Sequence, residues 1–155
     1  FLKGALEMER YHYIDCGLDN VWVKGGFTIT ETDYGEGVSI SHLDNLHRAI
    51  GMDIATSLNR MSPAELRFLR VEMELSQKRL GELIGVDSQT VARWEKNKTE
   101  TPGPAELLIR TLYIQHAGGN PDVTKLCQDL AELDEVEYAA QREFIDTDGD
   151  WRLVS

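Results

Sequence analysis

Cysteine is scarce in this sequence: Cys16 and Cys127 are the two in 155 residues, far apart and outside any CxxC or HxxxH arrangement. A structural zinc site needs about four convergent ligands, usually in closely spaced pairs. No metal site is expected, and the pair reads as two ordinary thiols of a reducing cytoplasm rather than a disulfide. Long apolar runs are missing as well. No stretch approaches the roughly 20 apolar residues that cross a bilayer, which speaks against a membrane role. The opening Phe1-Leu2-Lys3-Gly4-Ala5-Leu6 is too short, and its flank too acidic, for a secretory signal. His12, His42, His47 and His116 have no nucleophile or carboxylate at catalytic spacing, so neither an enzyme nor a cofactor is expected. Asp146-Thr147-Asp148-Gly149-Asp150 lacks the sixth-position glycine and twelfth-position glutamate of a calcium loop and reads as a hairpin turn. There is no internal repeat and no low-complexity segment.

Cations are the remaining shortage. Sixteen Lys/Arg stand against 27 Asp/Glu, a net charge of −11, which opposes nucleic-acid binding because duplex affinity rests on phosphate neutralisation. The distribution weakens that objection. Residues 61–101 are neutral, with seven charges of each sign, while residues 102–155 carry four cations against eleven carboxylates. Within 76–98, Lys78, Arg79, Arg93, Lys96 and Lys98 outnumber Glu82, Asp87 and Glu95. An acidic body with one locally basic face can bind DNA, and repulsion elsewhere helps to orient the approach. With 41% hydrophobic and 28% charged residues, the chain as a whole has the composition expected of a soluble globular protein.

Residues 9–40 are rich in strand formers: Tyr11-His12-Tyr13-Ile14, Val21-Trp22-Val23, then Phe27-Thr28-Ile29-Thr30-Glu31-Thr32. Gly25-Gly26 between the last two predicts a hairpin, and Tyr34-Gly35-Glu36-Gly37 a further turn before Val38-Ser39-Ile40. Ser41 opens a helix with Leu43, Leu46, His47, Ile50 and Ile54 at helical spacing and Asp44 completing a variant capping box; it is expected to reach Leu58. Ser62, followed by Pro63, caps the next, with Leu66, Leu69 and Met73 inward and Leu75 at its exit. Ser76 caps Gln77–Ile84, which Gly85 ends, and Asp87 or Ser88 caps a helix to about Lys96. Pro102-Gly103-Pro104 precedes a helix from Ala105 to Gln115, and Asn120-Pro121 another ending near Leu133. The Asp129-to-Glu137 acidic run reads as a solvated face. The tail is expected to be a β-hairpin turning at Asp148-Gly149.

The chemistry concentrates in Leu75–Glu95. Two short helices crossing tightly need a left-handed residue in their turn, which Gly85 supplies. Val86 plugs the turn from beneath. Leu80, Leu83 and Ile84 give the first helix a buried side, and Val91 with Trp94 gives the second its own. Ser88, Gln89, Ala92 and Arg93 then face outward near the helix N-terminus, the region from which a recognition helix reads base edges.

The pattern LSQxxLGxxxGVxxxTVxRWE over these residues resembles the XRE family, the phage-repressor and Cro-like helix-turn-helix proteins, across about 40 of the 155 residues. The resemblance implies a sequence-specific DNA-binding transcriptional regulator, a repressor of an operator, with a recognition helix near Asp87–Lys96. It assigns DNA contacts to Gln77, Lys78, Ser88, Gln89, Thr90, Arg93, Lys96 and Lys98. Gln77 would bind a phosphate and brace the recognition helix; Ser88 and Gln89 would read bases, Gln89 being suited to adenine. Arg93 would reach a base edge or a phosphate, and Lys96 and Lys98 the backbone. Arg70 and Glu95 occupy positions where the family often places an ion pair. Cys16-Gly17-Leu18-Asp19-Asn20-Val21-Trp22, with Arg93-Trp94-Glu95, is similar to regulators related to MqsA-type antitoxins. Their zinc module needs paired cysteines absent here, so zinc does not carry over. An antitoxin that represses its own operon while residues 9–40 hold a toxin is the alternative; an interaction module without DNA binding is another.

The expected fold is mainly α: a Cro/repressor-like helix-turn-helix domain of five to six helices, the third and fourth reading DNA, with a small N-terminal β element and a C-terminal β-hairpin. The expected division is 1–40 for the β element, 41–60 for a connecting helix, 61–133 for the DNA-binding domain with its following helices, and 134–155 for the tail. A homodimer on a two-fold operator is expected, through apolar residues of 105–133, namely Leu107, Leu108, Leu112, Tyr113, Leu126 and Leu130. Trp22 and Phe27 of the β element are the second choice.

Overall fold

The computed structural model describes residues 9–57, 59–132 and 138–154. Within them the chain forms six strands and six helices, in two compact units: residues 1–49 with 140–155, and residues 50–139.

The first unit is built on a four-stranded sheet in which β1 (Arg10–His12) pairs antiparallel with β2 (Val21–Lys24). Farther along the chain, β5 (Arg142–Thr147) lies parallel to β2, and β6 (Asp150–Leu153) antiparallel to β5. Residues 10–24 and 142–153 thus share one sheet, a pairing between distant segments that no local pattern announces. Alternation along β2 buries Val21 and Val23 with Tyr13, Leu18, Phe144 and Trp151. On the opposite face Glu143 holds Arg10 and Lys24 at 3.0 Å each. The expected Asp148-Gly149 turn is present, with φ of 55° and 85° and Thr147 paired with Asp150.

A separate two-stranded ribbon, β3 (Phe27–Thr32) and β4 (Gly35–Ile40), completes the unit's strands. It corrects two expectations. Gly25-Gly26 is not a hairpin turn, because β2 already has β1 and β5 on its two edges and β3 belongs to another sheet. Both glycines still have positive φ, and a Cβ on Gly26 would meet Asp146 and Trp151 at 2.8 Å, so the pair is a corner between sheets. The ribbon itself turns at Asp33-Tyr34, with Thr32 opposite Gly35, and residues 35–37 lie in β4 rather than in a turn. The Thr32 hydroxyl accepts the Tyr34 N–H at 3.2 Å and donates to the Gly35 carbonyl at 2.7 Å, fixing this turn locally.

Helix α1 (Leu43–Thr56) buries Leu46, Ile50 and Ile54 as its spacing predicts. It starts two residues later than Ser41, because His42 takes a left-handed φ of 51°. It ends at Thr56; the expected Leu58 terminus lies outside the described residues, as do Phe1–Leu6, Leu133 and the later part of the 129–137 acidic run.

The second unit continues with α2 (Pro63–Glu72), α3 (Gln77–Ile84), α4 (Ser88–Glu95), α5 (Gly103–His116) and α6 (Val123–Ala131). Ser62 and Glu65 form a reciprocal capping box on α2, and Ser76 caps α3 through the Arg79 N–H. Leu66, Leu69, Leu80, Val91, Trp94, Ile109 and Tyr113 make the core. Helix α5 begins at Gly103, before the expected Ala105, since Pro102 is extended and Pro104 falls in the first turn, where no N–H is missed.

Two expectations about apolar faces change. Leu83, placed on the buried side of α3, is 44% exposed, whereas Leu80 is fully buried. Leu126 and Tyr113, offered as dimer contacts, are core residues; Leu108 and Val123 are the exposed apolar residues of α5 and α6.

Candidate nucleic-acid interface

Helices α3 and α4 are joined by a turn that one residue makes feasible. Gly85 adopts φ 85° and ψ 29°, donating its N–H to the Gly81 carbonyl at 2.8 Å, and Val86 donates to the same oxygen at 2.9 Å. Gly81 matters for a reason the sequence concealed: a Cβ there would meet the Val86 carbonyl oxygen at 2.5 Å.

Asp87, rather than Ser88, caps α4. Its Oδ1 accepts the Thr90 N–H at 2.7 Å and the Thr90 hydroxyl at 2.8 Å. The hydroxyl bond, with help from the backbone bond and the nearby Arg93 charge, holds the Asp87 carboxyl below its ordinary range. Val91 and Trp94 face the core, so Gln89 and Arg93, four apart and exposed, share the outer face.

The far end of α4 is clamped. Arg70 of α2 meets Glu95 as a fork, Nε to Oε2 at 2.6 Å and Nη2 to Oε1 at 2.9 Å, and its Nη1 donates to the Leu75 carbonyl at 2.9 Å. Gln77, at the start of α3, donates Nε2 to Glu95 Oε1 at 3.1 Å. The Arg70–Glu95 ion pair is the one the resemblance implied, and Gln77 bonds the same carboxylate. Helix α4 is thus held at both ends within the chain itself.

The other expected contact residues are available at the surface. Lys78 is exposed on α3; Ser88 opens α4, half-buried; Lys96 is the C-cap; and Lys98 is exposed in the loop beyond, after Asn97 at φ 57°. Thr90 is half-buried with its hydroxyl committed to Asp87. Arg79 of α3 and Arg67 of α2 are also exposed, and sequence reasoning had not singled them out as contacts.

Most cations among the described residues fall into two sets. Arg10, Lys24, Arg60, Arg70, Arg110, Lys125 and Arg152 each lie within 4.0 Å of a carboxylate. Among the described residues, Arg67, Lys78, Arg79, Arg93, Lys96 and Lys98 form no ion pair; Arg67 lies in α2, and the other five fall in α3, α4 and the loop after it. The described residues hold no cluster of metal-ligating side chains, and none of their helices is long and apolar enough to cross a membrane.

Residues 66–108 match a protein-family model described as Helix-turn-helix, running from α2 through α4 into α5. This segment is an XRE-family helix-turn-helix, a DNA-binding type of transcription regulator. No curated protein and no solved structure matches the chain.

Proposed function

We propose that this chain is a transcriptional repressor that reads an operator with α4 in the major groove. The observation that carries this is the concentration of unpaired cations in residues 78–98, which hold five of the six such cations among the described residues, the sixth being Arg67 of α2, while most other described cations are paired with the chain's own carboxylates. Gln89 and Arg93 on the free face of α4 read base edges, with Ser88 beside them, Gln89 favouring adenine. Gln77 and Thr90 contribute at the helix ends, and Lys78, Arg79, Lys96 and Lys98 bind phosphates. A homodimer sets two such helices about 34 Å apart on a palindromic site. Leu108 and Val123, exposed on α5 and α6, supply its apolar contact.

Selection of bound sites from a random duplex pool tests the reading. A palindrome with half-sites about 10 base pairs apart is expected. On it, Gln89→Ala should cost about 1–3 kcal/mol and relax preference at one base pair, while Lys96→Ala should weaken all sequences evenly. Enrichment of no sequence would overturn the proposal.

The antitoxin reading draws on the β3–β4 ribbon. Phe27, Ile29, Val38 and Ile40 share one face by register, Ile29 is 47% exposed, and Glu31, Asp33 and Glu36 form no ion pair. A lone ribbon is marginal by itself, and such a surface suits a basic protein partner. A small toxin frame beside the gene, whose product binds this chain but not an Ile29→Lys variant, is the expected result; a neighbouring product that binds both equally would refute it.

A further inference from the structure

The loop after α4 carries two of the unpaired lysines, and its two ends are held by different means. At the front, the Asn97 N–H donates to the Trp94 carbonyl at 3.1 Å and the Lys98 N–H to the Arg93 carbonyl at 2.9 Å. At the rear the grip comes from a residue outside the loop. Arg60, two positions before the cap of α2, donates Nη2 to the Thr101 carbonyl at 3.0 Å and places Nη1 3.8 Å from the Glu100 carboxylate.

Arg60 is itself held from behind. Its Nε lies 3.2 Å from both carboxylate oxygens of Glu106, which is 1% exposed in the first turn of α5. Glu106 also accepts the Met61 N–H at 3.0 Å and Arg110 Nη2 at 3.3 Å. Arg110, also buried, donates to the carbonyls of Ile54, Ala55, Ser57 and Asn59 at 2.6–3.2 Å. A guanidinium fixed this way has already lost its rotamer freedom, so the loop carbonyl it grips is ordered in the free protein. Binding that orders a loop is weakened by that ordering, and a loop held in advance escapes the loss.

We propose that Arg60 is a positioning residue for DNA binding: it clamps the loop at Thr101 and Glu100 to the buried Glu106–Arg110 pair, so that Lys98 meets a phosphate already in place. The inference rests on α4 as the recognition helix. Arg60 need not touch DNA, because its donors are taken up by Glu106, Thr101 and Glu100. Gln89 should be indifferent to it, since α4 is fixed separately by Asp87, Glu95 and its buried Val91 and Trp94.

The test is a pair of double-mutant cycles in the full chain on the selected duplex, measured across salt. In the parent, Lys98→Ala should lower the slope of log affinity against log salt by about 0.9, so that parent and variant converge by about 3.5-fold between roughly 50 and 200 mM. In an Arg60→Met background, Lys98→Ala should add little to a loss already incurred, whereas Gln89→Ala should keep its full effect. A general loss of structure would instead diminish both. Should Arg60→Met not fold, Arg60→Lys carries the same cycles, because one ammonium can face Glu106 without also gripping Thr101. Equal Lys98→Ala effects in both backgrounds, or effects of Lys98→Ala and Gln89→Ala that shrink together, would overturn the inference while leaving the DNA-binding reading intact. A parent that binds no duplex would overturn both.

Discussion

Replacing Arg70 or Glu95 should be among the most damaging single changes available outside the apolar core, and the two losses should be unequal. The side chains are 12% and 4% exposed and meet as a two-bond fork. Removing one partner strands a largely desolvated charge, at a cost of about 3–5 kcal/mol. Arg70→Met leaves the nearly buried Glu95 carboxylate with one remaining donor, Gln77, which places it at the upper part of that range. Glu95→Leu leaves Arg70 its bond to the Leu75 carbonyl and some solvent, so about 3 kcal/mol is expected. The double variant leaves no stranded charge, so it should recover much of the loss, falling below either single change and giving a coupling of at least about 3 kcal/mol. Urea unfolding followed by far-UV circular dichroism gives each value from the midpoint and slope. Additive losses would mean that the fork contributes nothing beyond two independent side chains. A larger loss for Glu95→Leu than for Arg70→Met would refute the argument from residual partners.

Asp87 gives an acid signature: with its carboxyl held low in the folded chain, the stability it adds is present above its unfolded value and lost as pH falls through the folded one. The stability difference between the parent and Asp87→Asn, which still caps but does not titrate, should shrink below about pH 4; a difference constant from neutral to acid pH would contradict this. Leu126→Ala removes a side chain that is 8% exposed and should cost about 2–4 kcal/mol in the monomer; a loss below about 1 kcal/mol would remove it from the core. Leu108→Lys with Val123→Lys should leave unfolding unchanged and convert a sedimenting dimer to monomer; a dimer that survives both would relocate the interface.

What the sequence disclosed was local. Ser62-Pro63, Ser76 and Gly85 encode caps and a turn within a few residues of themselves, so the helices of 63–95 and the Asp148-Gly149 hairpin could be placed from spacing alone. Gly25-Gly26 misled because two positive-φ residues between strands describe a hairpin and a corner between sheets equally well; the choice lay with β5, more than a hundred residues away. Leu83 misled because helical spacing assigns a side and not its depth. The Arg60, Glu106 and Arg110 cluster was overlooked because Glu106 and Arg110, four apart on a helix, look like an ordinary surface pair. Arg110 is held there by the carbonyls of Ile54, Ala55, Ser57 and Asn59, which are not written in side chains at all.

The charge argument changes most between sequence and structure. Counted formally, residues 76–98 hold five cations and three carboxylates, a modest surplus for a chain of net charge −11. The carboxylates are not equivalent, however. Glu95 is consumed by Arg70, a cation from outside the segment, and is 4% exposed. Asp87 keeps its charge, its Oδ1 accepting the N–H and hydroxyl of Thr90 at the start of α4. Glu82 and Asp87 remain, both exposed and in no ion pair, against five unpaired cations. A phosphate approaching this surface therefore meets a field stronger than the formal count conveys. Carboxylates beyond about 8–10 Å are largely screened at physiological salt. Local pairing, more than net charge, decides whether an acidic chain can bind a polyanion, and here the pairing has left the helix-turn-helix cations free.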